Sequence, residues 1–115
     1  MKKVEYSHIA KRKLLKLKTE LTNEYGEQKA KEILTTMANR IDKLGQHEKS
    51  GICISRMYDI ETDYWYLFSN HNYFIYRIEE KRVIIVQVFN EREDYMMKLF
   101  GISGRTQESI DYWGE

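Results

Sequence analysis

Four side chains suited to acid-base or phosphate chemistry lie in the second half of the sequence. His71 carries an imidazole that titrates near neutral pH, and Tyr95 carries an ionisable hydroxyl. Arg77 and Arg92 carry guanidinium groups, which can hold a phosphate through paired hydrogen bonds. A catalytic site that acts on a phosphate needs a base, an acid and cations placed around it. These residues are therefore the candidate catalytic residues.

Each candidate also has an ordinary structural role that competes with catalysis. His71 falls in a predicted hairpin connection, where histidine is commonly a solvated turn residue. Arg92 falls in the first turn of a predicted helix, where it can pair with Glu91 or Glu93. Convergence of the four side chains in one cleft separates the two interpretations, and both stay open at the level of sequence.

Two amphipathic helices are predicted in the first half of the chain, after a short strand over residues 2–6. Ser7 offers an N-cap oxygen to the first helix. The apolar residues that follow have helical spacing in both segments, which Gly26 separates and Gly45 ends. They are Ala10, Leu14, Leu17, Leu21 and Tyr25, and then Ala30, Ile33, Leu34, Met37, Ile41 and Leu44. The two helices form an αα-hairpin whose apolar stripes must cover a flat apolar surface.

Three antiparallel strands supply that surface over residues 64–68, 73–78 and 83–89. Asn90 and Glu93 have the spacing of a capping box, which predicts a closing helix that stops at Gly101. Residues 46–63 are predicted to be an irregular loop. The expected fold is α+β, an antiparallel β-meander packed against an N-terminal αα-hairpin in the order β-α-α-β-β-β-α.

Aromatic residues are concentrated in the predicted meander and make up 13% of the chain. Trp65, Tyr73, Phe74 and Tyr76 are the candidates for partner binding, because tyrosine and tryptophan are favoured anchors at protein interfaces. Core packing and the stacking of RNA bases are the alternative uses. Side chains alternate along a strand, so Tyr73 and Arg77 share one face while Phe74 and Tyr76 share the other.

Composition predicts one cytoplasmic domain of 115 residues. Cys53 is the single cysteine and excludes an internal disulfide, and no Cys/His cluster has zinc-ligand spacing, so we expect no metal and no cofactor. We also expect no membrane segment. The net charge of +1 argues against autonomous RNA binding. The first helix nevertheless carries a cluster of basic residues, which is either a solvated face or a nucleic-acid footprint: Lys11, Arg12, Lys13, Lys16 and Lys18.

The segment from Asn72 to Glu80, followed by Val83 to Val86, resembles a strand pattern of the RelE/ParE toxin superfamily. That family has an "nYxIxYrI" strand, a charged turn and a final strand. The resemblance implies a growth-inhibiting toxin of a type II toxin-antitoxin pair, neutralised by a cognate antitoxin. It also assigns residues 1–101 to the toxin domain and leaves residues 102–115 as a tail suited to docking on a partner.

Two targets follow from the resemblance, since RelE-like members cut mRNA in the ribosomal A site and ParE-like members inhibit DNA gyrase. Arg92 matches the family's phosphate-contacting arginine, but the other RelE cation positions fall at Trp65, Leu67 and Phe74, which carry no charge. We therefore expect an atypical, metal-independent endoribonuclease that depends on the ribosome. The alternatives are a gyrase inhibitor that acts by binding and a non-toxic interaction module of the same fold.

Overall fold

The structure is a computed structural model that describes residues 1–101, and its elements follow the predicted order with two additions. The strands are β1 (Lys3–Tyr6), β2 (Ile52–Cys53), β3 (Tyr64–Ser69), β4 (Asn72–Ile78) and β5 (Arg82–Asn90). The helices are α1 (His8–Tyr25), α2 (Glu27–Asp42), α3 (Ile54–Tyr58) and α4 (Tyr95–Phe100), with a 3-10 turn at Lys43–Gly45. The short elements β2 and α3 are the additions.

The strands form one five-stranded sheet in the order β1-β5-β4-β3-β2. The strands β3 to β5 pair antiparallel, as predicted, and the additional strand β2 pairs antiparallel with β3. The strand β1 pairs parallel with β5, so that Lys3 lies opposite Arg82. The pairing of β4 with β5 shifts register between Ile75 and Tyr76, which is the signature of a β-bulge. The predicted α+β class and the mostly antiparallel sheet are confirmed.

The predicted αα-hairpin is also present, and Ser7 connects it to the sheet. The Ser7 hydroxyl accepts a hydrogen bond from the Ala10 amide at 3.1 Å, which caps α1. The same hydroxyl donates to the carbonyl of Val86 on β5 at 2.9 Å. Gly26 joins the two helices with a φ of 86°, a conformation that glycine adopts without steric cost.

Apolar side chains fill both faces of the sheet. On the helical face, Met37 and Ile41 of α2 pack against Phe74, Tyr76 and Ile85. The opposite face holds a second cluster, in which α3 and α4 cover part of the sheet. Its buried members are Ile54, Ile75, Phe89, Tyr95 and Met96. Burial of these side chains removes apolar area from water and is the main force that holds the layers together.

Residues 46–63 were predicted to be an irregular loop, and that prediction is wrong for Ile52–Tyr58. The segment just before β2 is held by a buried hydroxyl: Tyr76 donates to the carbonyl of Glu48 at 2.8 Å and accepts from the amide of Gly51 at 3.1 Å. Gly51 lies so close that an added Cβ would be 2.5 Å from the carbonyl oxygen of Tyr66. Only a residue without a side chain fits there.

The predicted capping box holds a turn and not the start of the last helix. Glu93 accepts from the amide of Asn90 at 2.7 Å, but the Asn90 side chain accepts from the amide of Arg92. The helix α4 begins later, where Asp94 caps it by accepting from the amide of Met97, and it ends at Gly101 as predicted. The predicted tail, residues 102–115, lies outside the described residues. Among residues 1–101, no helix is both long and apolar enough to span a bilayer.

Candidate functional site

The turn between β3 and β4, together with the end of β5, forms one end of the sheet and holds His71. Asn70 and His71 both have positive φ angles, 47° and 66°, as a two-residue hairpin turn requires. The Nδ1 atom of His71 lies 3.1 Å from Oε1 of Glu91, and the Glu91 amide donates to the His71 carbonyl. The His71 side chain is 76% exposed, which is the setting of a solvated turn residue.

Arg92 lies at the same end and is exposed. Its two expected ion-pair partners are engaged elsewhere, because Glu91 contacts His71 and Glu93 contacts Lys98. Within residues 1–101 no ion pair involves the Arg92 guanidinium. This end of the sheet therefore presents an imidazole and an available cation close together.

Arg77 lies at the opposite end of β4 and is held in a chain of ion pairs. Its guanidinium donates to Oε2 of Glu79 at 2.6 Å, and Oε1 of Glu79 accepts from Arg82, which also donates to Glu5. Hydrogen bonds from Arg82 and Arg77 lower the pKa of Glu79. His71 and Arg77 are about 20 Å apart along the strand, at roughly 3.3 Å per residue.

Tyr95 is buried and belongs to an aromatic cluster. Its hydroxyl donates to the hydroxyl of Tyr58 at 3.0 Å, and its ring lies 4.8 Å from that of Tyr73. Burial, followed by the bond to Tyr58, raises the pKa of Tyr95 above its usual value of 10.0. A phenol with a raised pKa is poorly ionised near neutral pH, which makes Tyr95 a weak candidate for a general base.

The four candidate catalytic residues thus do not share one cleft. His71 and Arg92 lie at one end of the sheet, Tyr95 is buried in the cluster next to Tyr73, and Arg77 lies at the other end within an ion-pair chain. The arrangement can offer a phosphate contact at the His71 end. It does not surround one phosphate with all four groups.

The four candidate partner-binding residues separate by face. Phe74 and Tyr76 are 0% exposed in the helical core, so they present no surface to a partner, and for these two the partner-binding interpretation is corrected. Trp65 is half-buried on that side and stacks on Tyr76, with ring centroids 6.2 Å apart. Tyr73 lies on the other face, where its ring contacts Phe68 and Tyr66.

The face that carries Tyr73 has an open aromatic surface. Tyr58, Phe68 and Met57 are its exposed members, and Met57 accepts a hydrogen bond from the hydroxyl of Tyr66. We call this set the aromatic surface: Met57, Tyr58, Tyr66, Phe68 and Tyr73, together with the buried Tyr95 whose ring contacts three of them. Exposed tyrosine, phenylalanine and methionine side chains in one patch are typical of a protein-binding site.

Most of the aromatic surface was missed from the sequence, although alternation along the strand contained part of the signal. Tyr66 and Phe68 are two residues apart on β3, which places them on one face, and the hairpin pairing brings Phe68 opposite Tyr73. Met57 and Tyr58 had no such signal, because they reach the surface through α3. In the part of the chain that the structure describes, no three His, Cys, Asp or Glu side chains are grouped to hold a metal ion.

Comparison with known families gives a match over most of the chain. The model of the family described as "ParE toxin of type II toxin-antitoxin system, parDE" matches residues 4–95. Among solved structures, a chain of the chromosomal ParDE TA system from P. aeruginosa is similar in fold, with a TM-score of 0.64. It is 15% identical in sequence, and the match covers 78% of this chain and 96% of that one. No curated protein matches the sequence.

The family match covers all five strands, apart from the first residue of β1, together with both helices of the hairpin. The similar structure supports the same architecture independently of sequence. The chain therefore belongs to the ParE toxin family of type II toxin-antitoxin systems.

Proposed function

We propose that this protein inhibits growth by binding its target and that a cognate antitoxin neutralises it. Membership of the ParE toxin family supports the toxin role. The observation that carries the binding mechanism is the separation of the candidate catalytic residues, since Arg77 is tied to Glu79 at the far end of β4. A toxin that acts by binding needs an exposed surface and no catalytic cleft.

The physical argument concerns charge. RNA cleavage passes through a crowded phosphate that must be surrounded by cations and by groups able to move protons. Here the charge of Arg77 is neutralised by the carboxylate of Glu79. Burial raises the pKa of Tyr95, which disfavours its ionised form. Few groups remain to stabilise such a phosphate.

DNA gyrase is the target we propose, because the resemblance implies it for ParE-like members of the superfamily. The aromatic surface supports binding to a large protein, since it offers exposed tyrosine, phenylalanine and methionine side chains. An antitoxin segment that covered the same surface would neutralise the toxin by masking it directly.

Ribosome-dependent cleavage of mRNA is the second candidate, and the pair formed by His71 and Arg92 favours it. Both are exposed at one end of the sheet, and Arg92 has no ion pair within residues 1–101. If His71 and Arg92 alone form the catalytic site, replacing either residue should abolish growth inhibition.

Induced expression of the wild type and of Arg92→Ala, with separate pulse-labelling of DNA and protein synthesis, tests these proposals. We expect growth to stop, DNA synthesis to fall first and Arg92→Ala to remain toxic. Early loss of protein synthesis that Arg92→Ala relieves would instead establish the ribonuclease. Unaffected growth with soluble wild-type protein would contradict both and leave a non-toxic interaction module.

A further inference from the structure

A small pocket of about 280 Å³ lies between α1 and the ends of β4 and β5. Lys13 and Lys16 line it from α1, and Asn72 and Asn90 line it from the strands. Leu17 and Val88 supply apolar walls. The pocket is separate from the aromatic surface and from the ion-pair chain of Arg77.

Asn72 supplies a buried polar group to this pocket, since the residue is only 6% exposed. Its amide nitrogen donates to the carbonyl of Asn70 at 2.8 Å, which fixes the orientation of the side chain. One of the two N–H bonds of that amide is left for a further acceptor. The Asn90 oxygen already accepts from the Arg92 amide, so its amide nitrogen is also the group left to donate.

Lys13 brings a partly desolvated positive charge to the pocket. Its Nζ atom lies 4.0 Å from the centre of the Phe89 ring. Burial lowers the pKa of Lys13, and the nearby charges of Lys98 and Lys16 lower it further, although Glu93 raises it. A cation that burial and like charges disfavour is stabilised when an anion approaches it.

Two carboxylates, Glu20 and Glu93, also line the pocket, and each already has partners of its own. Glu93 accepts from the Asn90 amide with one oxygen and from Lys98 with the other. Glu20 lies 3.9 Å from the Nζ atom of Lys16, and both side chains are more than half exposed, so this contact is weak. Residues 8–19 of α1 contain five Lys and Arg residues and no acidic residue.

We propose that this pocket binds the carboxylate of an Asp or Glu side chain in an acidic polypeptide segment. The two lysines and the two amide groups are donors, and a carboxylate is an acceptor with about four lone-pair sites. Leu17 and Val88 contact the methylene groups of the bound side chain. That the segment belongs to the antitoxin rests on the function proposed above, whereas the binding itself does not.

The pocket fits a carboxylate side chain better than a nucleic-acid backbone. A strand of nucleic acid carries repeating phosphates, and these would pass Glu20 at the pocket and the exposed Glu91 nearby. The net charge of +1 also gives little long-range attraction for a polyanion. A single carboxylate inserted between Lys13 and Lys16 brings only one negative charge past Glu20 and Glu93, and so meets less repulsion than a series of phosphates.

The test uses purified full-length protein and a capped hexaglutamate peptide, with a capped hexaglutamine peptide as the uncharged comparison. We expect hexaglutamate, and not hexaglutamine, to shift the side-chain amide resonances of Asn72 and Asn90 in a saturable titration. Lys13→Gln and Lys16→Gln should each weaken the affinity roughly tenfold, since each removes a charge-assisted hydrogen bond.

Lys11→Gln is the matched control, because Lys11 is an exposed residue of the same helix that does not line the pocket. It makes the same change of charge and should leave the affinity within about twofold. An equal loss in Lys11→Gln, or no shift of the Asn72 amide, would overturn the proposal. Tighter binding of inorganic phosphate than of hexaglutamate would also overturn it, because the pocket would then be a phosphate site. None of these outcomes depends on whether the toxin arrests growth.

Discussion

Tyr95 and Arg77 show how neighbouring groups change what a side chain can do. Burial and the hydroxyl of Tyr58 raise the pKa of Tyr95, and Glu79 occupies the guanidinium of Arg77. Both residue types suit acid-base or phosphate chemistry, yet both are committed to structure here. The residue type alone therefore overstated the catalytic potential of the chain.

Tyr95→Phe tests this structural role. The variant keeps the ring contacts with Tyr73 and Tyr66 and loses only the bond to Tyr58, whose side chain is 41% exposed and can bond to water. We expect the free energy of unfolding in urea to change by less than about 1 kcal/mol and growth inhibition to persist. If Tyr95 were a general acid or base, the variant would instead lose about 100-fold or more of its catalytic activity.

Alternation along β4 correctly predicted that Phe74 and Tyr76 share a face opposite to Tyr73. It did not reveal which face the helices cover, because both faces of this strand are apolar. Two of the four partner-binding candidates were consequently core residues. The correct choice depends on tertiary packing, which a single strand does not encode.

Among the elements, the helices and the central strands were predictable because each has a periodic apolar pattern long enough to read. The strand β2 has only two residues, and α3 has five, so neither carries a period. Both form where β3 and Tyr76 provide partners. The parallel pairing of β1 with β5 was also not predictable, because no local sequence pattern indicates it.

Tyr76→Phe tests how residues 46–51 are anchored. The change keeps the ring in the core but removes the hydroxyl that bonds to the Glu48 carbonyl and the Gly51 amide. We expect a loss of about 1–3 kcal/mol in the free energy of unfolding, since a partly buried donor and acceptor are left without a partner. Urea unfolding measures it, and hydrogen exchange at the Gly51 amide should become faster.

The hydroxyl of Tyr76 should also make the folded protein less stable at alkaline pH. Burial raises the pKa of Tyr76 from 10.0 to about 12. The folded protein therefore holds this proton more tightly than the unfolded chain, and the free energy of unfolding decreases as the pH rises from about 10 to about 12. The decrease should be smaller in Tyr76→Phe. Identical pH profiles for the two proteins would show that the hydroxyl is not coupled to folding.

At the scale of the whole molecule, the aromatic surface and the pocket beside α1 have no residue in common. The first is on the sheet face that α3 and α4 partly cover, and the second lies beside α1. One antitoxin chain that reached both would hold the toxin at two places, which strengthens binding through effective concentration.

Phe68→Ser tests the aromatic surface. Phe68 is 39% exposed and its ring lies 4.9 Å from that of Tyr73, so we expect a stability loss of only about 1 kcal/mol. Binding to gyrase should weaken by about 30-fold or more if this ring is an interface anchor, and growth inhibition should fall with it. Tyr25→Ser, which removes an aromatic ring 52% exposed at the end of α1, should leave both unchanged.

The contact between the N-terminal segment and β5 has a consequence for biosynthesis. Ser7 bonds to Val86, 79 residues later, and within residues 1–101 the strand β1 pairs only with β5. Closing so long a loop costs chain entropy that only the finished core repays. The helical hairpin therefore leaves the ribosome before the strands it must cover exist. We therefore expect the folded, active toxin to form only after nearly all of the chain has been translated, which leaves time for an antitoxin made in the same place to reach it.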